Sequence, residues 1–154
     1  MIFNCQWRGE FESAEVRLLH ADAFGSPVDA DVDTDTDADT DADTDTERQI
    51  DWRSTVAAHS LGWVTARDEG ERLIGFANVI WDGWAHAWIQ DVMVFSPSRN
   101  NGIGIQLVTA ARDAATQAGC EWLHVDFEDG LGPFYLDACG FVPASAGLIR
   151  LRSS

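Results

Sequence analysis

Arg99-Asn100-Asn101-Gly102-Ile103-Gly104 joins two runs of different periodicity. Before it, Trp88-Ile89-Gln90-Asp91-Val92-Met93-Val94-Phe95 reads as a strand. After it, Ile105 to Ala118 reads as an amphipathic helix, with Leu107, Val108, Ala111, Ala114 and Ala115 at helical spacing and Gly119 as the stop. Two glycines two residues apart at a strand-to-helix junction let the backbone come close to a ligand, because neither carries a Cβ. The free N–H groups and the positive end of the helix favour an anion, most naturally a phosphate, and Arg99 adds a fixed positive charge. The loop is therefore read as a pyrophosphate cradle.

Working back from the loop, Asp82-Gly83 between Trp81 and Trp84 predicts a two-residue type I′ hairpin, joining a strand Arg72–Trp81 to a strand Trp84–Phe95. Leu61–Arg67 is a further strand ahead of the turn Asp68-Glu69-Gly70-Glu71, and Met1–Arg8 a first one. Two helices lie between: one capped by Ser13, with Val16, Leu19, His20 and Ala23 on one face and ending at Gly25 and Pro27, the other spanning Ile50 to His59. His20 is taken as a core or boundary residue. Beyond the loop helix, Cys120–Glu128 reads as a strand and Pro133 opens a short helix running to Gly140. Phe141-Val142 and Leu148–Leu151 are expected to form a last strand or hairpin. The order β-α-α-β-β-β-α-β-α-β predicts an α/β (α+β) fold, with a mixed, mostly antiparallel sheet flanked by helices. The antiparallel hairpin before the loop argues against a parallel dinucleotide-binding fold. At 154 residues, a single domain over 1–154 is expected.

Between the first two helices, nine of the nineteen residues from Val28 to Thr46 are Asp, at every second position. A strand would place all nine charges on one face and a helix would be built from weak formers, so a low-complexity disordered loop is expected. Asp-x-Asp-x-Asp also opens an EF-hand loop, but the Gly at position six and the Glu at position twelve are missing, and no metal is expected. Across the chain 26 Asp plus Glu stand against 10 basic residues, all Arg, giving a net charge of −16. Nothing there neutralises a phosphate backbone or an anionic membrane, so neither nucleic acid nor membrane is an expected partner. A highly acidic, Lys-free surface suits concentrated salt, where the repulsion is screened, and the chain is read as halophilic. Cys5, Cys120 and Cys139 are too irregular for a metal site or a disulfide framework, and are read as reduced thiols of a cytoplasmic protein. The stretch Met1-Ile2-Phe3-Asn4-Cys5 does not read as a signal peptide.

Two signals then fall in order: Val94-x4-Arg99-x2-Gly102-x-Gly104 opening a helix, and Phe134-Tyr135-Leu136-Asp137-Ala138-Cys139-Gly140-Phe141 some thirty residues later. Together they resemble the GNAT-type, acetyl-CoA-dependent N-acetyltransferases, the first being similar to that family's Arg/Gln-x-x-Gly-x-Gly/Ala loop and the second to its Phe-Tyr-x-x-x-Gly-Phe segment. The resemblance covers most of the chain outside the Asp-rich stretch. It implies that backbone N–H groups of Asn100, Asn101, Gly102, Ile103 and Gly104, with Arg99, hold the coenzyme A pyrophosphate. Main-chain groups of Met93 and Val94 would pair with pantetheine, and the amide there would stabilise the oxyanion. Tyr135, the only tyrosine, would protonate or hydrogen-bond the departing thiolate. The family's loop commonly has basic residues where Asn100 and Asn101 stand, and often an Asn where Glu128 stands.

An amine nucleophile must lose its proton, and Asp91, on the strand feeding the loop, is the first choice of base. Glu128, Asp126, His124 and His86 are further titratable residues on that side, and the Trp81–Trp88 cluster is expected to pack the hairpin rather than line a pocket. The reading is direct acetyl transfer from acetyl-CoA to a small-molecule or protein amine, without a covalent intermediate, in a monomer or homodimer. The alternative is a non-catalytic acyl-CoA-binding or sensor domain of the same fold.

Overall fold

The computed structural model describes residues 1–25 and 50–152; the Asp-rich stretch 28–46 lies outside the described residues. In chain order the elements are β1 (Phe3–Trp7), α1 (Ser13–Phe24), α2 (Trp52–His59), β2 (Ser60–Asp68), β3 (Leu73–Trp81) and β4 (His86–Val94). A short 3₁₀ turn (Ser96–Ser98), α3 (Ile103–Gln117), β5 (Trp122–Val125) and a π-helical segment (Pro133–Ala138) follow. The strands form one sheet in the order β1-β2-β3-β4-β5. The first four run antiparallel to their neighbours, and β4–β5 is parallel, with α3 as the crossover. The mixed, mostly antiparallel sheet flanked by helices is as the periodicity predicts.

β3 is buried on both faces, which is why Leu73-Ile74-Gly75-Phe76-Ala77-Asn78-Val79 is a nearly unbroken apolar run rather than an alternation. Its two faces feed two core layers. Ile74, Ala77 and Val79 pack with Ile103, Leu107, Val108, Ala111 and Ala115 of α3, while Leu73, Phe76 and Met93 pack with Val16, Leu19, Trp52 and Val56 of α1 and α2. Truncating the fully buried Leu107 to alanine would cost about 2–5 kcal/mol.

Several local expectations are corrected. The cap of α1 is Glu12 rather than Ser13: the Glu12 N–H donates to Glu15 Oε2 at 2.9 Å, while the Ser13 hydroxyl donates to Asp51 Oδ1 at 2.7 Å and so ties the two helix starts together. Asp51 caps α2, accepting from the Ser54 N–H at 3.3 Å. The β3–β4 turn is not type I′, which needs positive φ at both central residues; only Gly83 has it, at 79°. Instead the Asp82 carboxylate accepts the N–H groups of Trp84 (2.7 Å) and His86 (3.1 Å), a side-chain-built turn three residues longer than the minimum at its far end, with Trp81 paired to Ala87. β5 is shorter than Cys120–Glu128. Finally, no strand forms at Phe141-Val142 or Leu148–Leu151. The Phe141 N–H bonds to the Tyr135 carbonyl at 3.0 Å and its ring packs on Tyr135, and Pro143 directly after Val142 has no N–H to give a ladder. Leu148, Ile149 and Leu151 are exposed, and the outer edge of β5 has no partner strand among the described residues.

Candidate active site

The site begins where two strands part. The β4–β5 register runs from His86↔Trp122 to Ile89↔Val125 and stops, while β4 continues to Val94. The gap opens a cleft of about 910 Å³. Residues of β4 from Ile89 to Val92 form its floor, the end of α1 (Ala23, Phe24) one side, and Val125, Phe127, Leu131 and Tyr135 the other; the loop from Arg99 into α3 closes one end. A second concavity of about 700 Å³ lies between Arg8, Trp63 and the starts of α1 and α2, and holds none of the residues expected to act on a substrate.

The loop geometry follows from its residues. Asn100 and Gly102 both take left-handed backbone, at φ 62° and 80°. The Asn101 amide donates to the carbonyls of Ser98 and Arg99, both at 3.0 Å, so this side chain folds the loop rather than facing the cleft. Arg99 Nε donates to the Val94 carbonyl at 3.2 Å, fixing the guanidinium at the cleft's edge. α1 and α2 carry acidic groups at their starts, but α3 has neither a side-chain cap nor an acidic residue in its first turn. Its first N–H groups therefore lack side-chain acceptors and open on the cleft. The two glycines differ in purpose. Gly102 supplies the positive φ, with nothing near its missing Cβ; at Gly104 a Cβ would stand 3.0 Å from the Phe134 ring, so this glycine serves the packing of α3 on the π-helical segment.

Tyr135 is buried, 7% exposed, with Phe127 stacked on it (5.0 Å, 20°) and Phe134 and Phe141 edge-on. Burial pushes its phenol up from the ordinary value, with the neighbouring Cys139 adding to the effect, so it is protonated at neutral pH and can donate. Asp91 is part of the cleft floor. The register shift between Phe76 and Asn78 sets two residues, Asp91 and Val92, against Ala77, and this bulge puts Asp91 at φ 52°. Burial raises the Asp91 carboxyl, against the opposing charge of His20 and a hydrogen bond from Asn78.

The expected residues are thus largely brought together: Asp91, Val94, Arg99, Asn100, Gly102, Ile103, Gly104 and Tyr135 all line the one cleft, as do Asp126 and Glu128. Met93 lies in the same stretch of β4, but its side chain is fully buried against α1 and α2. His86 and His124 are elsewhere, at the far end of β4 and β5, where His86 Nδ1 and His124 Nε2 share a 2.8 Å hydrogen bond and Trp88 stacks on His124. Trp81 and Trp84 are exposed at the hairpin and do not line the cleft. All three cysteines are free thiols pushed up by burial, Cys5 to about 11. Spacing along the chain does not mark the two residues that act on Asp91: His20 falls on an apolar helix face, and Asn78 is signalled only by being a lone amide inside a buried strand. Among the described residues no group of three or more His, Cys, Asp or Glu could hold a metal ion, and no helix is long and apolar enough to cross a membrane.

The family model described as acetyltransferase (GNAT) family matches residues 17–141. No curated protein matches the sequence. Among solved structures, an acetyltransferase of Trypanosoma brucei superposes with a TM-score of 0.71 at 18% identity, covering 99% of this chain and 100% of that one. Glucosamine-6-phosphate N-acetyltransferase of Arabidopsis thaliana gives 0.65 at 19% identity, covering 99% and 100%. A GNAT family N-acetyltransferase of Escherichia coli, in complex with CoA, gives 0.62 at 16% identity, covering 91% of this chain and 68% of that one. At these identities the likeness is one of fold.

Proposed function

Because the chain belongs to the GNAT acetyltransferase family, we propose that it transfers the acetyl group of acetyl-CoA directly to an amine. The observation that carries this reading is the convergence, on one cleft between parting strands, of an uncapped helix start, a buried protonated phenol and a half-buried carboxylate. The N–H groups at the start of α3 and Arg99 take the pyrophosphate, and main-chain groups of β4 near Met93 and Val94, beyond the last β4–β5 pair at Ile89 and with the Val94 carbonyl accepting from Arg99, take pantetheine. An amide there polarises the thioester carbonyl. Asp91 accepts the proton that the amine must lose; the amine nitrogen attacks the carbonyl carbon, the C–S bond breaks, and Tyr135 gives its proton to the departing sulfur. No step requires a thiolate, and Cys139, whose thiol burial keeps protonated, is a packing residue.

Calorimetry with acetyl-CoA in concentrated salt, followed by turnover on a panel of primary amines, tests this. Tyr135→Phe should bind acetyl-CoA as the wild type does and turn over about 100-fold more slowly. A wild-type protein that binds acetyl-CoA and acetylates no amine would instead be an acyl-CoA-binding or sensor domain.

A further inference from the structure

Among the described residues Asn78 is the longest of the buried polar side chains, 8% exposed in the middle of β3, between Ala77 and Val79, both fully buried. An amide in such a place must find partners. Its Oδ1 accepts the hydroxyl of Ser60 at 2.5 Å, and Ser60 is the residue at which α2 hands over to β2. In register Asn78 stands opposite Gln90, beside the bulge that carries Asp91. A carboxylate only accepts hydrogen bonds, whereas a serine hydroxyl can donate, so with Oδ1 on Ser60 the amide N–H is the group left to face Asp91, which the one-residue bulge sets beside Asn78.

We propose that Asn78 is a positioning residue for acetyl transfer: locked by Ser60, it holds the Asp91 carboxylate at the β4 bulge, oriented to take the proton of the acceptor amine. The inference rests on the reading of Asp91 as the base. Three adjacent strands each give one member, Ser60 from β2, Asn78 from β3 and Asp91 from β4, so the sheet itself sets the alignment. Sheet-borne groups of this kind are held more tightly than groups on loops. Burial favours the protonated acid at Asp91, which is useless as a base; Asn78 from β3 and His20 from α1 oppose it. Among the described residues, the remaining charged groups of the cleft are Arg99 on the loop and Asp126 and Glu128 beyond β5. Removing the Asn78 amide leaves His20 alone against desolvation, and Asp91 keeps its proton to higher pH.

The test follows the Asp91 carboxyl by carbon-13 NMR across pH in aspartate-labelled protein, its resonance identified by its loss in Asp91→Asn. In parallel, the pH–rate profile is measured with acetyl-CoA and whichever panel amine is acetylated. Asn78→Ala should raise the titration midpoint by about one unit and move the acidic limb of the rate profile with it, leaving KM for acetyl-CoA unchanged. Asn78→Asp, which adds a like charge, should raise it further, and Ser60→Ala should raise it less. A folded Asn78→Ala protein whose midpoint stays put, with activity lowered equally at every pH, overturns the proposal in favour of a structural amide. Should Asn78→Ala not fold, an unmoved midpoint in Ser60→Ala overturns it instead. If the acidic limb survives in Asp91→Asn, the base reading fails, and the catalytic part of this proposal fails with it; loss of the limb in Asp91→Asn without a shift in Asn78→Ala removes the positioning role alone.

Discussion

Replacing Gly104 by alanine separates two reasons for a glycine at the start of α3. From sequence, the missing Cβ serves the approach of a ligand; in the structure it makes room for Phe134. The new Cβ would sit 3.0 Å from Phe134 Cζ and 3.1 Å from Cε2, so the ring must retreat by a few tenths of an ångström to reach ordinary contact. Phe134 cannot move freely, because its ring stands edge-on to Tyr135 with centroids 4.8 Å apart. Overpacking of this kind costs about 1–3 kcal/mol, which for a chain of this size lowers the melting temperature by about 3–9 °C. Thermal unfolding in concentrated salt reads the stability, and calorimetry reads acetyl-CoA affinity in the same samples. The expected pattern is a clear fall in melting temperature with less than about a tenfold loss of affinity. Phe134→Leu should rescue much of the stability in the double variant, since the two side chains share one space. An unchanged melting temperature with affinity lost would refute this reasoning and return Gly104 to the ligand.

Two further outcomes follow from charge. Asp91 is raised in the folded protein, so the folded state binds more protons than the unfolded one between the ordinary carboxylate value and the raised one, and stability falls as pH climbs through that window. Asp91→Asn should therefore melt higher than wild type at neutral pH, match it at acid pH below the unfolded value, and lose turnover; equal melting at neutral pH would contradict the assigned burial. Among the described residues Arg99 is the one basic side chain lining the cleft, against Asp91, Asp126 and Glu128 and a chain of net charge −16. Coenzyme A is itself anionic, so its affinity should rise as salt goes from about 0.1 M to about 2 M, the reverse of an ordinary phosphate site, as screening removes the repulsion. Calorimetry across that range, with affinity falling steadily, would reject both this balance and the reading of the chain as halophilic.

What was legible in the sequence was what local chemistry dictates. Gly102 next to an apolar helix marks the loop, Pro133 marks the next helical segment, and the apolar run of β3 marks a central strand. The β3–β4 turn was legible as a position but not as a type, because Asp82 builds it with its side chain rather than with left-handed backbone. The missing last strand was not legible, since its absence depends on Phe141 turning inward onto Tyr135, a contact made by the fold rather than by neighbours in sequence. The cluster around Asp91 shows the same limit: a one-residue bulge in β4 brings it beside Asn78 of β3 and within the electrostatic reach of His20 of α1, and no spacing along the chain announces that bulge.

The end of the β4–β5 ladder has a consequence for motion. Only four register pairs hold β5, against seven between β2 and β3, and its other edge is bare among the described residues. The cleft therefore has a floor on a strand laddered to the central β3 and a wall on the strand with the fewest pairs. In native-state hydrogen exchange the amides of Trp122–Val125 should open at lower free energy than those of β3. A ligand lying along the free side of β4 would give the fraying end of β5 something to close on, so coenzyme binding should slow exchange there more than anywhere else in the sheet.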